Sequence, residues 1–242
     1  MGDEMWDNRE KVIFFGDSIC FGQGVSPHRT WVTRVSADVE ALGARHGVAL
    51  ATVNTSINGN TTRMALERMP FDVQSHRPDF LVVQFGMNDC NFWRTDGGVP
   101  RVSQEGFRAN LKEIVKRGQV FGARNVFLLT NHPTTLDAEP MAWCDITYQA
   151  SNIIYNRIIR ELAAELELLG VTLIDVEKHF DAALHRDSKP LGDYLLSDGL
   201  HLGSRGHDLY YEAVAPRLLT GLEQWYLRTP SSVSAENTTT GC

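Results

Sequence analysis

Hydrophobic positions in this chain gather into short unbroken runs, separated by longer stretches in which they recur at helical spacing. The runs fall at residues 11–16, 49–55, 79–86, 125–130 and 171–176, each rich in Val, Ile, Leu or Phe and without strict alternation. Strands buried on both faces read this way, as in a parallel sheet covered by helices. Between the runs, helices are predicted over residues 30–42, 62–69, 104–121, 145–169 and 204–226, with Pro216 kinking or splitting the last. Ser103 followed by Glu105 suits a helix start, and Gly122 and Gly170 each follow a helix end. Regular alternation of the two patterns predicts an α/β protein, a right-handed three-layer α/β/α sandwich around a five-stranded parallel sheet. No repeat or break in composition divides the chain, so one domain is expected over residues 1–228. Residues 229–242 hold too few apolar groups to order themselves and are expected to form a disordered tail.

Composition narrows the partners. With 43% hydrophobic and 22% charged residues, the chain has the balance of a globular protein, which argues against global disorder. A formal net charge of −7 argues against nucleic acid or an anionic membrane surface as the main partner. No apolar run approaches the ~20 residues of a spanning helix. The first seven residues are acidic where a secretory signal is basic, and Trp6 stands where a myristoylation motif needs Ser or Thr. The glycosylation-type triplets at Asn54, Asn60 and Asn237 are read as chance matches, and a cytoplasmic protein is expected. Cys20, Cys90, Cys144 and Cys242 lack metal-site spacing and are too sparse for a disulfide scaffold. Cys20 and Cys90 lie beside the motifs described next, and free cysteines of this kind commonly behave as small buried hydrophobes.

If the strands are parallel, their C-terminal ends share one edge of the sheet, where ligands bind such folds. Ser18, residues 54–60, Asn88-Asp89 and residues 130–133 each follow a strand, so they converge there although far apart in sequence. Taken singly, Gly16-Asp17-Ser18 is a turn with a helix cap, Asn88 a turn residue and His201 a loop histidine. Together they match the needs of acyl transfer through serine: a nucleophile, a base with its orienting acid, and donors for a developing oxyanion. Ser18 is the candidate nucleophile. Asp198-Gly199-Leu200-His201 places a carboxylate within a tight turn of an imidazole, leaving Nε2 to face the serine. The Asn58-Gly59-Asn60 turn can present the Gly59 N–H, Asn88 can present its side-chain amide, and Ser18 can add its backbone N–H.

Gly16-Asp17-Ser18, Gly59, Gly86-Met87-Asn88-Asp89 and Asp198-Gly199-Leu200-His201, in that order, resemble the four sequence blocks of the SGNH hydrolase superfamily, the GDSL-type esterases and lipases. The first block continues Ile19-Cys20, where many members carry leucine. The resemblance implies a flavodoxin-like α/β/α fold and carboxylic ester hydrolysis without a cofactor. It implies Ser18 as nucleophile, His201 as base and acid, Asp198 as the residue orienting His201, and an oxyanion hole of Ser18, Gly59 and Asn88. Asp17 and Asp89 lie in the blocks as loop scaffolding, and they join Phe92, Trp93, His132 and Trp143 as candidates for the substrate wall.

Other readings compete for the same residues. Asp198, His201, His207 and Asp208 are the candidate ligands for a hydrolytic metal, but no metal-binding spacing relates them, so no metal is expected. His132 could replace His201 as base, yet no acid lies near it in sequence. Gly22-Gln23-Gly24 begins like a dinucleotide loop, then places Pro27 where a third glycine belongs. An acyltransferase, thioesterase or lysophospholipase would use the same triad, and a non-catalytic binding protein could share the scaffold. Asn, Thr, Arg94 and Asp96 in the loops point to a small polar ester, such as an O-acyl or O-acetyl group of a carbohydrate-like substrate, with Trp93 and Trp143 able to stack on it. Oligomeric state has no signature in the sequence.

Overall fold

The computed structural model describes residues 9–228. The expected tail at 229–242 lies outside the described residues, as do Asn237, Cys242 and the acidic start of the chain. Five strands form one parallel sheet: β1 (Glu10–Gly16), β2 (Leu50–Asn54), β3 (Phe80–Gln84), β4 (Asn125–Leu129) and β5 (Val171–Ile174), in the order β2-β1-β3-β4-β5. That order places the topological switch beside β1, where crossovers leave in opposite directions and open a crevice at the strand ends. The runs read as strands are buried from end to end in β1 (Val12–Phe15) and β3, as a sheet covered on both faces requires.

The helices are α1 (Ser18–Phe21), α2 (Trp31–His46), α3 (Thr62–Asp72), α4 (Gln104–Val120), α5 (Tyr148–Glu165), α6 (Val176–Asp187) and α7 (Ser204–Arg228). α2, α6 and α7 pack together on one face of the sheet, and α3, α4 and α5 on the other. The boundaries follow capping chemistry. Thr30 accepts from the Thr33 N–H to start α2, Ser103 accepts from Gly106 to start α4, and Thr147 accepts from Ala150 to start α5. Trp31, Val35, Val39 and Leu42 then lie on one stripe of α2 and are buried against the sheet. Buried side chains from the sheet and both helical layers form one continuous cluster.

Two expectations are corrected. The apolar run at 171–176 ends as a strand at Ile174, because Asp175 caps a further helix by accepting from the Lys178 N–H. That helix, α6, buries Val176, Phe180 and Ala183, and its polar remainder concealed it in the sequence. Pro216 does not split the last helix. It lies on the exposed face of α7, where the carbonyl that loses its partner can be hydrated. Among the described residues, no helix is long and apolar enough to cross a membrane.

Candidate active site

The strand ends bring the sequence blocks together through register. Gly16 at the end of β1 pairs with Gln84 at the end of β3, so the segments carrying Ser18 and Asn88 leave adjacent strands side by side. Asp17 turns the chain into α1, its Oδ1 accepting from the Ile19 N–H at 3.0 Å. Ser18 becomes the first residue of that short helix, where a backbone N–H has no intrahelical acceptor. α1 is tied down on several sides. The Cys20 N–H donates to Gln84 Oε1 at 3.1 Å, the Cys20 carbonyl accepts from Asn54 Nδ2 at 3.2 Å, and the Ile19 carbonyl accepts from Trp31 Nε1 at 2.9 Å. Ser18 is 6% exposed, with its Oγ 2.9 Å from His201 Nε2.

The turn after residue 197 is built around one carboxylate. Asp198 Oδ1 accepts from the N–H groups of both Leu200 and His201 at 2.9 Å, while Oδ2 takes His201 Nδ1 at 2.7 Å. Gly199 permits the turn at φ +70°, and a Cβ there would meet Thr135 Oγ1 at 2.3 Å. Partial burial pushes the Asp198 carboxyl upward, but the hydrogen bonds from His201 and the two backbone N–H groups outweigh it and hold the group below its ordinary value. A carboxylate on Nδ1 fixes the tautomer, so Nε2 carries the lone pair toward Ser18 Oγ. An imidazole held this way can take the hydroxyl proton and later return it.

Donor groups come from two neighbouring loops. Gly59 has φ +75°, is exposed, and has open space where a Cβ would stand; among the described residues its N–H has no acceptor. Asn88 Nδ2 donates to Asp17 Oδ2 at 3.4 Å, and Asn88 Oδ1 accepts from Arg101 Nη1 at 3.2 Å. The loop carrying Gly59 is braced by Arg68, which donates to Asn60 Oδ1 at 2.7 Å and to the Gly16 carbonyl at 3.2 Å and lies 4.4 Å over the Phe15 ring. Neither arginine was marked by the sequence. Each is a lone cation whose partners come from other loops.

The wall candidates separate into two groups. Asp17, Asp89 and His132 are fully buried, so they do not face an open pocket, and their place in the wall is corrected. Asp17 and Asp89 act as loop scaffolding instead. Asp89 accepts from the Thr62 N–H at 2.9 Å and also from its hydroxyl, joining the end of β3 to the start of α3. Burial pushes Asp17 up to about 7 and Asp89 up to about 6, against the hydrogen bonds each receives. His132 points inward, its Nε2 donating to the Leu200 carbonyl at 2.8 Å, and burial brings its pKa down to about 4. It braces the turn holding His201 and has no bond to Ser18. Phe92 is partly exposed, Trp93 is 49% exposed with Arg101 3.9 Å over its ring, and Trp143 is 69% exposed. The Trp143 backbone lies against Gly98, so the two expected wall loops touch.

The remaining candidates are occupied elsewhere. His207 is buried on α7, its Nδ1 accepting from the Trp31 N–H at 3.2 Å, which turns it toward α2. Asp208 pairs with Arg34 at 2.6 Å. Among the described residues, no group of three His, Cys, Asp or Glu side chains is arranged to hold a metal. Cys20 and Cys90 are free and buried, and burial pushes the Cys20 thiol up to about 12 and the Cys90 thiol higher still.

Comparison with known proteins bears on this geometry. The model of the GDSL-like lipase/acylhydrolase family matches residues 14–209. An arylesterase of Vibrio mimicus is 32% identical over 213 residues, covering 88% of this chain and 90% of its own length. An uncharacterized lipoprotein of Bacillus subtilis (strain 168), YqeF, is 27% identical over 222 residues, covering 85% of this chain and 88% of its own. The solved structure of an acetylxylan esterase from Geobacillus stearothermophilus superposes with a TM-score of 0.66 at 21% identity, covering 88% of this chain and 94% of the other.

Proposed function

Since this chain belongs to the GDSL-like lipase/acylhydrolase family and is a carboxylic ester hydrolase, we propose that Ser18 is the nucleophile that takes up the acyl group. The observation carrying this reading is the continuous line from Ser18 Oγ to His201 Nε2 at 2.9 Å and from His201 Nδ1 to Asp198 Oδ2 at 2.7 Å. In the first half-reaction His201 accepts the Ser18 proton as Oγ bonds to the ester carbonyl carbon. The carbonyl oxygen becomes an oxyanion, received by the N–H groups of Ser18 and Gly59 and by Asn88 Nδ2. Collapse expels the alkoxide, which leaves as the alcohol with the proton from His201. In the second half-reaction His201 activates water, which attacks the acyl-enzyme and frees the acid and Ser18.

The substrate we assign is a small polar ester, an O-acyl or O-acetyl group on a carbohydrate-like alcohol. Asn91, Arg94 and Asp96 around the half-exposed Trp93, with Trp143 on the touching loop, support that choice. Phenyl acetate is a direct first substrate, since one relative is named an arylesterase. Free thiols at Cys20, Cys90 and Cys144 suit a reducing compartment, and we place the enzyme in the cytoplasm on that ground. Hydrolysis of p-nitrophenyl acetate tests the chemistry: Ser18→Ala abolishes it while thermal unfolding stays unchanged, and full activity in that variant overturns the reading.

A further inference from the structure

We propose that Arg101 is the positioning residue of the oxyanion hole, orienting both Asn88 and Gly59 through one guanidinium. This rests on the proposal that those two residues receive the oxyanion.

Asn88 has to present an N–H, and an amide side chain can be turned either way. A guanidinium only donates, so Arg101 Nη1 at 3.2 Å fixes the facing atom as Asn88 Oδ1 and the other end as Nδ2. Of the two Nδ2 hydrogens, one goes to Asp17 Oδ2 at 3.4 Å and the second is left to donate. The same arginine fixes the neighbouring donor. Nη1 and Nη2 both reach the Gly59 carbonyl at 3.2 Å. Among the described residues, no other side chain hydrogen-bonds to Gly59, an exposed residue in a left-handed turn with open space where a Cβ would stand. A cation on two carbonyl oxygens also polarises those groups, and the Asn88 N–H becomes a stronger donor for it.

Arg101 is itself held in place. Its N–H donates to the Asn91 carbonyl at 2.9 Å and the next residue's N–H to the Asp89 carbonyl at 3.2 Å, closing the base of the loop that follows Asn88. Tyr155 donates its hydroxyl to the Val102 carbonyl, and the Trp93 ring stacks on the guanidinium. The Arg101 guanidinium bonds to Asn88 and Gly59 and not to Ser18, His201 or Asp198, so its effect on the reaction runs through Asn88 and Gly59.

The test is a double-mutant cycle on p-nitrophenyl acetate hydrolysis, combining Arg101→Met with Asn88→Ala. Loss of one oxyanion donor costs about 10²–10³-fold in kcat, and misorienting it through Arg101 should cost at least about tenfold, with KM little changed. In the Asn88→Ala background the same arginine substitution should cost less, because only Gly59 of the two groups it orients is left to be misplaced. Arg101→Lys, which keeps the charge but loses the planar fork that spans both carbonyls, should fall between wild type and Arg101→Met. It also serves as the variant to pair with Asn88→Ala if Arg101→Met does not fold. Equal loss in both backgrounds, a rise in KM with kcat kept, or no loss at all overturns the proposal. Those results leave the serine mechanism standing, whereas an active Ser18→Ala variant removes the mechanism itself.

Discussion

His132 donates through Nε2 to the carbonyl of Leu200 at 2.8 Å, so a buried histidine fixes the residue that immediately precedes His201. Replacing it with Phe keeps the ring volume and leaves that carbonyl without its donor. Stability should fall by about 0.5–1.5 kcal/mol, the usual net contribution of one hydrogen bond, since the Leu200 end is only half-buried. Turnover should fall with it while KM changes little, because the His201 ring loses its brace. Urea unfolding and steady-state kinetics on the same preparation check both; unchanged kcat would mean that the Asp198 bonds alone hold the turn.

Asp198→Asn should lower kcat by on the order of 10²–10⁴-fold with a smaller effect on KM. An amide in that position can present an N–H to the ring, which favours the tautomer with its proton on Nε2, the atom that must accept from Ser18. Kinetics on an unhindered aryl acetate separates the two parameters. A variant that loses binding with kcat intact would place Asp198 outside the proton path.

Asn88→Ala should remove about 2.7–4 kcal/mol of transition-state stabilisation, read as a fall in kcat. The fold should persist, because Asp89, the neighbouring residue, makes the buried bonds to Thr62 that join β3 to α3.

Asp17 predicts a pH dependence of stability. The carboxyl ionises at its ordinary value of 3.8 when unfolded and at about 7 when folded, where burial disfavours the charge. The folded state therefore keeps a proton that the unfolded chain has already lost. The stability from this group is fully present below pH 3.8 and is lost as pH rises to about 7. Three units correspond to about 4 kcal/mol. In urea titrations from pH ~4 to ~7, the stability difference between wild type and Asp17→Asn should shift by that order, then level off. A difference that stays constant across the range would mean that Asp17 is ionised throughout.

Cys20 and Cys90 should resist iodoacetamide in the native protein and react only on unfolding, since the thiolate is the reactive form and burial suppresses it in both. Peptide mass spectrometry before and after denaturation checks this.

The sheet was legible in the sequence because strands covered on both faces leave continuous apolar runs, and Val12–Phe15 and Phe80–Val83 are buried throughout. α6 was not, because its buried apolar residues are only Val176, Phe180 and Ala183 and the first of them was absorbed into the strand before it. Ser18, Asn88, Asp198 and His201 could be brought together because each follows a strand or forms a tight turn, and parallel strands share one edge. His132 follows a strand as well, yet its ring turns inward to Leu200, and position in sequence does not give a side chain's direction. Arg101 and Arg68 are lone charges in irregular or half-exposed surroundings, and their hydrogen-bond partners lie 8 to 52 residues away, apart from the helical pair Arg68–Asp72.

Covalent capture of the nucleophile tests the central claim most directly. Incubation with a fluorophosphonate, followed by peptide mass spectrometry, should place one adduct on Ser18, with activity lost in proportion to labelling. Ser18→Ala should take up none. Labelling at another residue, or full inactivation with Ser18 unmodified, would contradict the assignment.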